Sequence, residues 1–130
     1  MLKAQAAFSG ISVDDLAKAK QFYTEVLGLE PTGEGMGLNL ELPGGGSLFI
    51  YAKDNHHPAS FTILNFVVND INVAVDELLR AGVRFEHYNN ESMPQDDKGI
   101  ARGISVNQGP DIAWFKDPAG NILSILQPSR

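Results

Sequence analysis

The chain has 130 residues, of which 43% are apolar and 20% charged, a length and composition typical of one globular domain with its own core. It contains no cysteine, which excludes disulfides, thiolate catalysis and cysteine-based zinc sites. A net charge of −6 without a basic cluster argues against nucleic acid as a partner. We find neither an apolar run of the roughly 20 residues that cross a bilayer nor a signal-peptide core. We therefore expect a cytoplasmic protein that binds neither nucleic acid nor membranes.

The first half of the chain predicts a strand, a helix and three further strands. The apolar stretch 6–13 indicates a strand, and Asp14-Asp15 after it offers a helix N-cap. Apolar residues then recur at helical spacing from Leu16 to Leu27, and Gly28 is suited to end the helix. Strand-like segments follow over 29–32, 37–42 and 47–52, and a Pro-Gly-Gly-Gly turn separates the last two.

The second half repeats this order after a polar linker over 53–59. A β-branched run over 62–68, the cap Asn69-Asp70 and a helical stripe from Ile71 to Leu78 come first. A strand is predicted over 83–88, and the long polar stretch from Asn89 to about Arg102 is typical of a lid or binding loop. Strands over 112–115 and 122–127 follow, joined by a turn at 117–121.

A shift of 55 residues aligns the two halves, placing Val13 on Val68 and Asp15 on Asp70. Such a fixed offset indicates an internal duplication. A half of about 60 residues cannot bury both its sheet face and its helix stripe well. We therefore predict an α+β fold of two tandem βαβββ modules, about 1–57 and 58–130. They are expected to form a curved mixed sheet around a cavity, with the helices outside.

Two well-separated motifs carry a family resemblance. One comprises Val13-Asp14-Asp15-Leu16, Phe22-Tyr23 and Val26-Leu27-Gly28-Leu29, and the other is Phe115-Lys116-Asp117-Pro118-Ala119-Gly120-Asn121. With the duplication, they resemble the vicinal oxygen chelate superfamily, which includes glyoxalase I, bleomycin resistance proteins, fosfomycin resistance enzymes and extradiol dioxygenases. The resemblance covers nearly the whole chain and implies the fold, but one scaffold that supports many reactions does not imply one activity.

The resemblance also implies where a metal would bind. Metal-using members take one ligand from the first strand and one from the last strand of each module, usually His, Gln or Glu. Matching the motifs places these positions at Phe8, Ile50, Ile63 and Ser124. Three apolar side chains and one hydroxyl do not supply the donors that a divalent cation needs. We therefore expect no metal and no other cofactor.

Further cavity candidates follow from the period of two along a strand. By this rule Asn65 shares a face with Ile63, and Ser12 shares one with Phe8. Trp114 offers a flat apolar surface with one N–H, although a core position is equally open; it pairs with Ser124 if the turn is Pro118-Ala119-Gly120. Arg102 offers donors to a ligand carboxylate or a pair with Asp96 or Asp97. The predicted cavity residues are Phe8, Ser12, Ile50, Ile63, Asn65, Arg102, Trp114 and Ser124.

The histidines give weaker signals. Adjacent His56 and His57 would point in opposite directions on a strand, so we interpret them as a solvated linker pair. His87 and Glu41 leave open a non-standard metal site, and no Ser-His-Asp arrangement stands out.

Three functional hypotheses remain. The leading one is metal-independent binding of a small, planar or hydrophobic organic molecule by a homodimer similar to the bleomycin-resistance branch. The alternative is a metal-dependent lyase, isomerase or dioxygenase of the same superfamily with non-standard ligands. The third is an accessory module with a vestigial cavity.

Overall fold

The structure is a computed structural model that describes residues 1–33 and 35–129. The chain divides into two units, Met1–Pro58 and Ala59–Arg130. The first unit contains β1 (Ser9–Val13), α1 (Leu16–Gln21), a π-helical turn (Phe22–Val26), β2 (Glu30–Pro31), β3 (Leu38–Glu41) and β4 (Ser47–Ala52). The second contains β5 (Thr62–Val67), α2 (Ile71–Arg80), β6 (Ala101–Arg102), a 3-10 turn (Ile104–Val106), β7 (Asp111–Lys116) and β8 (Ile122–Gln127).

Each unit has one four-stranded mixed sheet, and the two sheets have the same topology. The strand orders are β1-β4-β3-β2 and β5-β8-β7-β6. In both, the first and last strands of the unit pair in parallel and the other neighbours pair antiparallel. The predicted α+β class and the repeated βαβββ order are confirmed.

Both helices begin at the predicted aspartates. The Asp15 carboxylate accepts a hydrogen bond from the Lys18 backbone N–H, and Asp70 accepts from the N–H groups of Asn72 and Val73, so each satisfies donors that the first helical turn leaves unpaired. The first helix changes from α to π hydrogen bonding at Phe22, a change that the apolar spacing does not predict. Within the described residues, no helix is long and apolar enough to span a bilayer.

Each helix packs against its own sheet on one face. In the first unit α1 contacts β4, whose Leu48 and Ile50 are buried. In the second unit α2 contacts β7 and β8, and the buried side chains on those strands include Ala113, Phe115 and Ile125. The opposite face of each sheet therefore carries the alternate residues, and in the second unit these include Trp114 and Ser124.

Two element predictions for the second unit are corrected. The predicted strand over 83–88 is reduced to one bridge between Phe85 and Phe115, joined by a hydrogen bond from the Glu86 N–H to the Trp114 carbonyl. The second strand of the unit is instead β6, at the end of the long polar stretch. Two paired residues give too little pattern for sequence analysis to detect.

Candidate functional site

A cavity of about 460 Å³ lies within the second unit. Its floor comes from alternate residues of β7 and the paired β6, and its rim comes from the loop before β6 and the turn after it. Most of the lining side chains are apolar, with a few polar groups at the rim. The lining residues are Ser92, Met93, Pro94, Ala101, Arg102, Gly103, Ser105, Val106, Gln108, Pro110, Ile112 and Trp114.

Trp114 is the largest side chain of this wall. It is 9% exposed, and its indole N–H donates to the Thr62 hydroxyl at 3.1 Å. Its ring meets that of Tyr88 edge to face, with centroids 5.5 Å apart. A tryptophan held on two sides presents a rigid apolar surface to a ligand.

Trp114, Ser124 and Asn65 form a row across three neighbouring strands. Trp114 is opposite Ser124, and Ser124 is opposite Asn65, so all three side chains lie on the same face of the sheet. The Ser124 hydroxyl is fully buried and donates to the Asn65 side-chain oxygen. The pairing of Trp114 with Ser124 agrees with the predicted turn, in which the Asp117 carboxylate accepts from the backbone N–H groups of Ala119 and Asn121.

A bulge in β5 changes which residue shares a face of the sheet with Asn65. The register shifts between Thr62 and Leu64, so Ile63 has no partner residue on β8. The shift places Thr62 on the face of Asn65, where its hydroxyl meets the Trp114 indole. The simple period of two that joined Ile63 to Asn65 therefore does not hold across this strand.

Gln95 pins the long loop before β6. Its side-chain nitrogen donates to the carbonyl groups of Glu86 at 2.8 Å and Gly99 at 2.6 Å, and its oxygen accepts from the Tyr88 N–H at 2.7 Å. One side chain thus ties three separated backbone positions together. The loop, predicted only as a lid or binding loop, is held in place by specific bonds beside the cavity.

Arg102, which lines the cavity, lies at the centre of a charged cluster. Its Nε and Nη2 atoms contact one Asp96 oxygen at 3.1 and 3.0 Å, and its Nη2 donates to the Asn72 oxygen at 2.6 Å. Its Nη1 lies 3.5 Å from the Asp111 carboxylate, which also accepts from the Ile104 N–H. Of the two roles that the sequence left open for Arg102, the pair with Asp96 is present.

Two pKa values in this region are shifted. Burial acts to raise the pKa of Asp96, but the backbone N–H groups of Ile100 and Lys98 and the Arg102 guanidinium outweigh it and hold that pKa below its ordinary value. The pKa of Tyr88 is raised, chiefly by burial and further by the Glu86 carboxylate. Asp96 is therefore ionised and Tyr88 protonated at neutral pH.

In the first unit, the predicted residues occupy different environments. Phe8 precedes β1 and is 69% exposed, while Ile50 is fully buried. Ile50 pairs with Ile11, so its side chain lies on the face of the sheet opposite Ser12. The β4 residue that corresponds to Ser124 is Phe49, because Phe49 pairs with Gly10 of β1 as Ser124 pairs with Asn65 of β5. The Ser12 hydroxyl contacts His56 Nδ1 at 2.6 Å, a contact between residues 44 apart that no local pattern signals.

Of the eight predicted cavity residues, Trp114 and Arg102 line the 460 Å³ cavity. Sequence reasoning missed most of the remaining wall. Ile112 was detectable, because it precedes Trp114 by two on one strand and so shares its face. Val106 and Pro110 lie in a turn without periodicity, and nothing in the sequence distinguishes them.

The residues at the implied ligand positions do not fit a metal ion. Phe8, Ile50 and Ile63 carry no donor atom, and the Ser124 hydroxyl is already bonded to Asn65. Glu41 and His87 are both exposed, the latter beside a second, smaller cavity. Across residues 1–33 and 35–129, His, Asp and Glu side chains form no group of three or more suited to hold a metal.

The fold and the two repeated units define a known class. The Glyoxalase/Bleomycin resistance protein/Dioxygenase superfamily model matches residues 5–125. The chain belongs to this superfamily. A search of curated proteins gave no match.

Solved structures share the fold over nearly the whole chain. A superfamily member from Sphaerobacter thermophilus is 22% identical, with a TM-score of 0.70, and 97% of this chain and 99% of that chain are covered. TnmS3, an antibiotic binding protein from Streptomyces sp. CB03234, is 24% identical, with a TM-score of 0.66 and 98% and 100% covered. Virulence protein STM3117 from Salmonella typhimurium is 20% identical, with a TM-score of 0.65 and 98% of each chain covered.

Proposed function

We propose that this protein binds a small, planar or hydrophobic organic molecule without a metal, in the cavity walled by Trp114. The observation that carries the proposal is the cavity itself. Its 460 Å³ is within the range of small-molecule sites, and its wall is mainly apolar with a few polar groups at the rim. The indole beside it, fixed by Thr62 and Tyr88, supplies a flat surface for a planar ligand.

Two further observations support binding rather than metal chemistry. The resemblance implies metal-ligand positions at Phe8, Ile50, Ile63 and Ser124, and these side chains do not supply the donors that a divalent cation needs. Among the described residues, His, Asp and Glu also form no group of three that would serve as non-standard ligands. TnmS3, with the same fold, is an antibiotic binding protein. Capture of a ligand needs affinity alone. Asn65 and Ser124 continue the face of Trp114 and remain candidate contacts.

We also propose a homodimer as the working form. Large apolar side chains at Phe8, Phe61 and Val67 are each at least 66% exposed in the single chain, as expected of surfaces that a partner covers. Sedimentation velocity should give about twice the chain mass of 14.1 kDa. Sedimentation at the mass of one chain would contradict the dimer without touching the cavity proposal.

Calorimetric titration with 2-naphthylmethanol, a planar uncharged probe, tests the binding function. Saturable binding with one site per chain is expected. Val106→Asn, at a cavity residue that is 61% exposed, should weaken binding about fivefold, because a polar group replaces apolar contact with the ligand.

The matched control is Val73→Asn, at a valine on α2 that is 53% exposed and does not line the cavity. It should leave the affinity unchanged. Equal loss in both variants would show that the probe binds elsewhere. Failure of a broad panel of aromatics, antibiotics and thiol adducts to bind would favour the accessory-module hypothesis.

A further inference from the structure

Four hydrophilic side chains line the mainly apolar cavity, and two of them already use their donor within the protein. The four are Ser92, Arg102, Ser105 and Gln108. The Ser92 hydroxyl donates to the Asn90 side-chain oxygen at 2.7 Å, and the Ser105 hydroxyl donates to the Arg102 carbonyl at 3.3 Å. Gln108 is exposed and offers a neutral amide. Among the lining side chains that the structure describes, Arg102 alone carries a charge.

The contacts of Arg102 account for three of its five N–H donors. Nε and Nη2 lie 3.1 and 3.0 Å from the same Asp96 oxygen, and Nη2 also donates to the Asn72 oxygen at 2.6 Å. These contacts use the single Nε N–H and both Nη2 N–H groups. Nη1 carries two more, and its contact among the described residues is Asp111 at 3.5 Å, longer than an ordinary hydrogen bond. Nη1 is therefore the nitrogen that can donate to a ligand.

The protein holds the guanidinium in place without burying it. The Arg102 side chain is 35% exposed. Its main partner, the Asp96 carboxylate, is itself anchored by the backbone N–H groups of Lys98 and Ile100, each at 2.9 Å. A guanidinium that is oriented before the ligand arrives loses less side-chain entropy when it forms a further hydrogen bond.

The remaining donor determines which acceptor fits it. A carboxylate binds arginine through two parallel bonds to Nε and Nη2, and Asp96 already occupies that edge. A single oxygen atom, such as that of a ketone or quinone, needs only one donor. Ile112 and Trp114, on the same cavity wall as Arg102, supply apolar contact for the ring that carries this oxygen.

We propose that the ligand of this cavity carries a carbonyl oxygen on its planar ring system, and that Arg102 recognises this oxygen through Nη1. The inference rests on the proposed binding function and adds the functional group that the ligand presents. The apolar wall supplies affinity, and Arg102 distinguishes an aromatic ketone or quinone from a hydrocarbon of the same shape.

Two ligands of nearly the same shape test the inference. 2-Acetylnaphthalene carries the carbonyl oxygen, and 2-isopropenylnaphthalene has a methylene group in its place. Their Kd values are measured by displacement of 2-naphthylmethanol from the unmodified protein and from Arg102→Met. The substitution should weaken binding of the ketone about tenfold more than binding of the alkene, because only the ketone loses a hydrogen bond to a charged donor. The different hydrophobicities of the two ligands cancel in this comparison.

Two further variants separate recognition from structural damage. Lys98→Met removes a cation of the same loop that pairs with Asp76 and does not line the cavity, so the ratio of the two Kd values should stay unchanged. Arg102→Met combined with Asp96→Asn also removes the carboxylate that the single substitution leaves without its partner. The double variant should show the same shift in the ratio, and it provides the test if the single variant does not fold.

The outcomes distinguish the two proposals. An equal ratio in the unmodified protein and in the Arg102 variants would overturn the carbonyl inference and leave the cavity function standing. An equal shift in Lys98→Met would also overturn the inference, since the effect would then not belong to Arg102. Failure of both naphthalenes to bind the unmodified protein would overturn both proposals.

Discussion

The Trp114 indole N–H donates to the Thr62 hydroxyl at 3.1 Å, and this makes Thr62 a sensitive position. Thr62→Val keeps the side-chain shape but removes the acceptor for a largely buried indole N–H. The free energy of unfolding should fall by about 1–2 kcal/mol. Urea unfolding monitored by emission of Trp114, the only tryptophan in the chain, measures the change directly.

Thr24→Val is the control for this substitution. The Thr24 hydroxyl donates to the Lys20 carbonyl on an exposed helical turn, where water replaces the lost bond. Its effect should stay within about 0.5 kcal/mol. Equal effects in the two variants would mean that the indole bond contributes nothing specific.

Asp96 should make the free energy of unfolding depend on pH in the acidic range. Its folded-state pKa lies below the ordinary value of 3.8, so its contribution is fully present above that pH and is lost as the pH falls through the lower folded value. Asp96→Asn removes this dependence. Between pH 5 and about pH 2, the wild-type unfolding free energy should therefore fall more steeply than that of the variant. Parallel curves would contradict the assigned role, and exposed Asp14→Asn serves as the charge-matched control.

At the scale of elements, the turn from Gly103 to Pro110 sets the cavity rim. A Cβ at Gly103 would lie 2.4 Å from the Pro110 carbonyl oxygen, a backbone atom that cannot move alone. Gly103→Ala should cost about 1–3 kcal/mol of stability. It should also weaken binding of 2-naphthylmethanol, because both residues line the cavity.

Gly46→Ala provides the comparison for the rim. The nearest atom to its Cβ would be a Leu42 methyl carbon at 3.9 Å, an ordinary contact. Stability should change by less than about 1 kcal/mol and binding should not change. Unaltered binding in Gly103→Ala would show that the rim does not shape the site.

The elements also show where sequence reasoning succeeds. The caps at Asp15 and Asp70 and the β7–β8 turn were predictable because each depends on a few adjacent residues. The β5 bulge was not, because one unpaired residue at Ile63 leaves no trace in the apolar pattern. The role of Gln95 was equally hidden, since its backbone partners are fixed by the folded path of the loop. For Arg102 the pair with Asp96 was predictable, whereas its contacts with Asn72 and Asp111 were not.

Over the whole molecule, the offset of 55 residues predicted the repeated βαβββ order, and both sheets have it. Duplication is visible because strand, cap and helix recur together over many residues. The location of the second-unit cavity was only partly predictable. Trp114 was identified from its chemistry, whereas the rim that encloses it comes from a loop with no periodicity.

The side chains at the implied metal-ligand positions determine how the protein should respond to metal ions. Since Phe8, Ile50 and Ile63 offer no ligand atoms, EDTA and added Zn²⁺, Ni²⁺ or Mn²⁺ should each change the melting temperature by less than about 1 °C. By contrast, 2-naphthylmethanol at a hundred times its Kd should raise it by about 8 °C or more. Val106→Asn, at equal probe concentration, should reduce that rise without creating a response to metals. Stoichiometric metal by elemental analysis, or metal-stimulated turnover of a catechol or of the methylglyoxal–glutathione hemithioacetal, would contradict metal-independent binding and favour the metal-dependent enzyme.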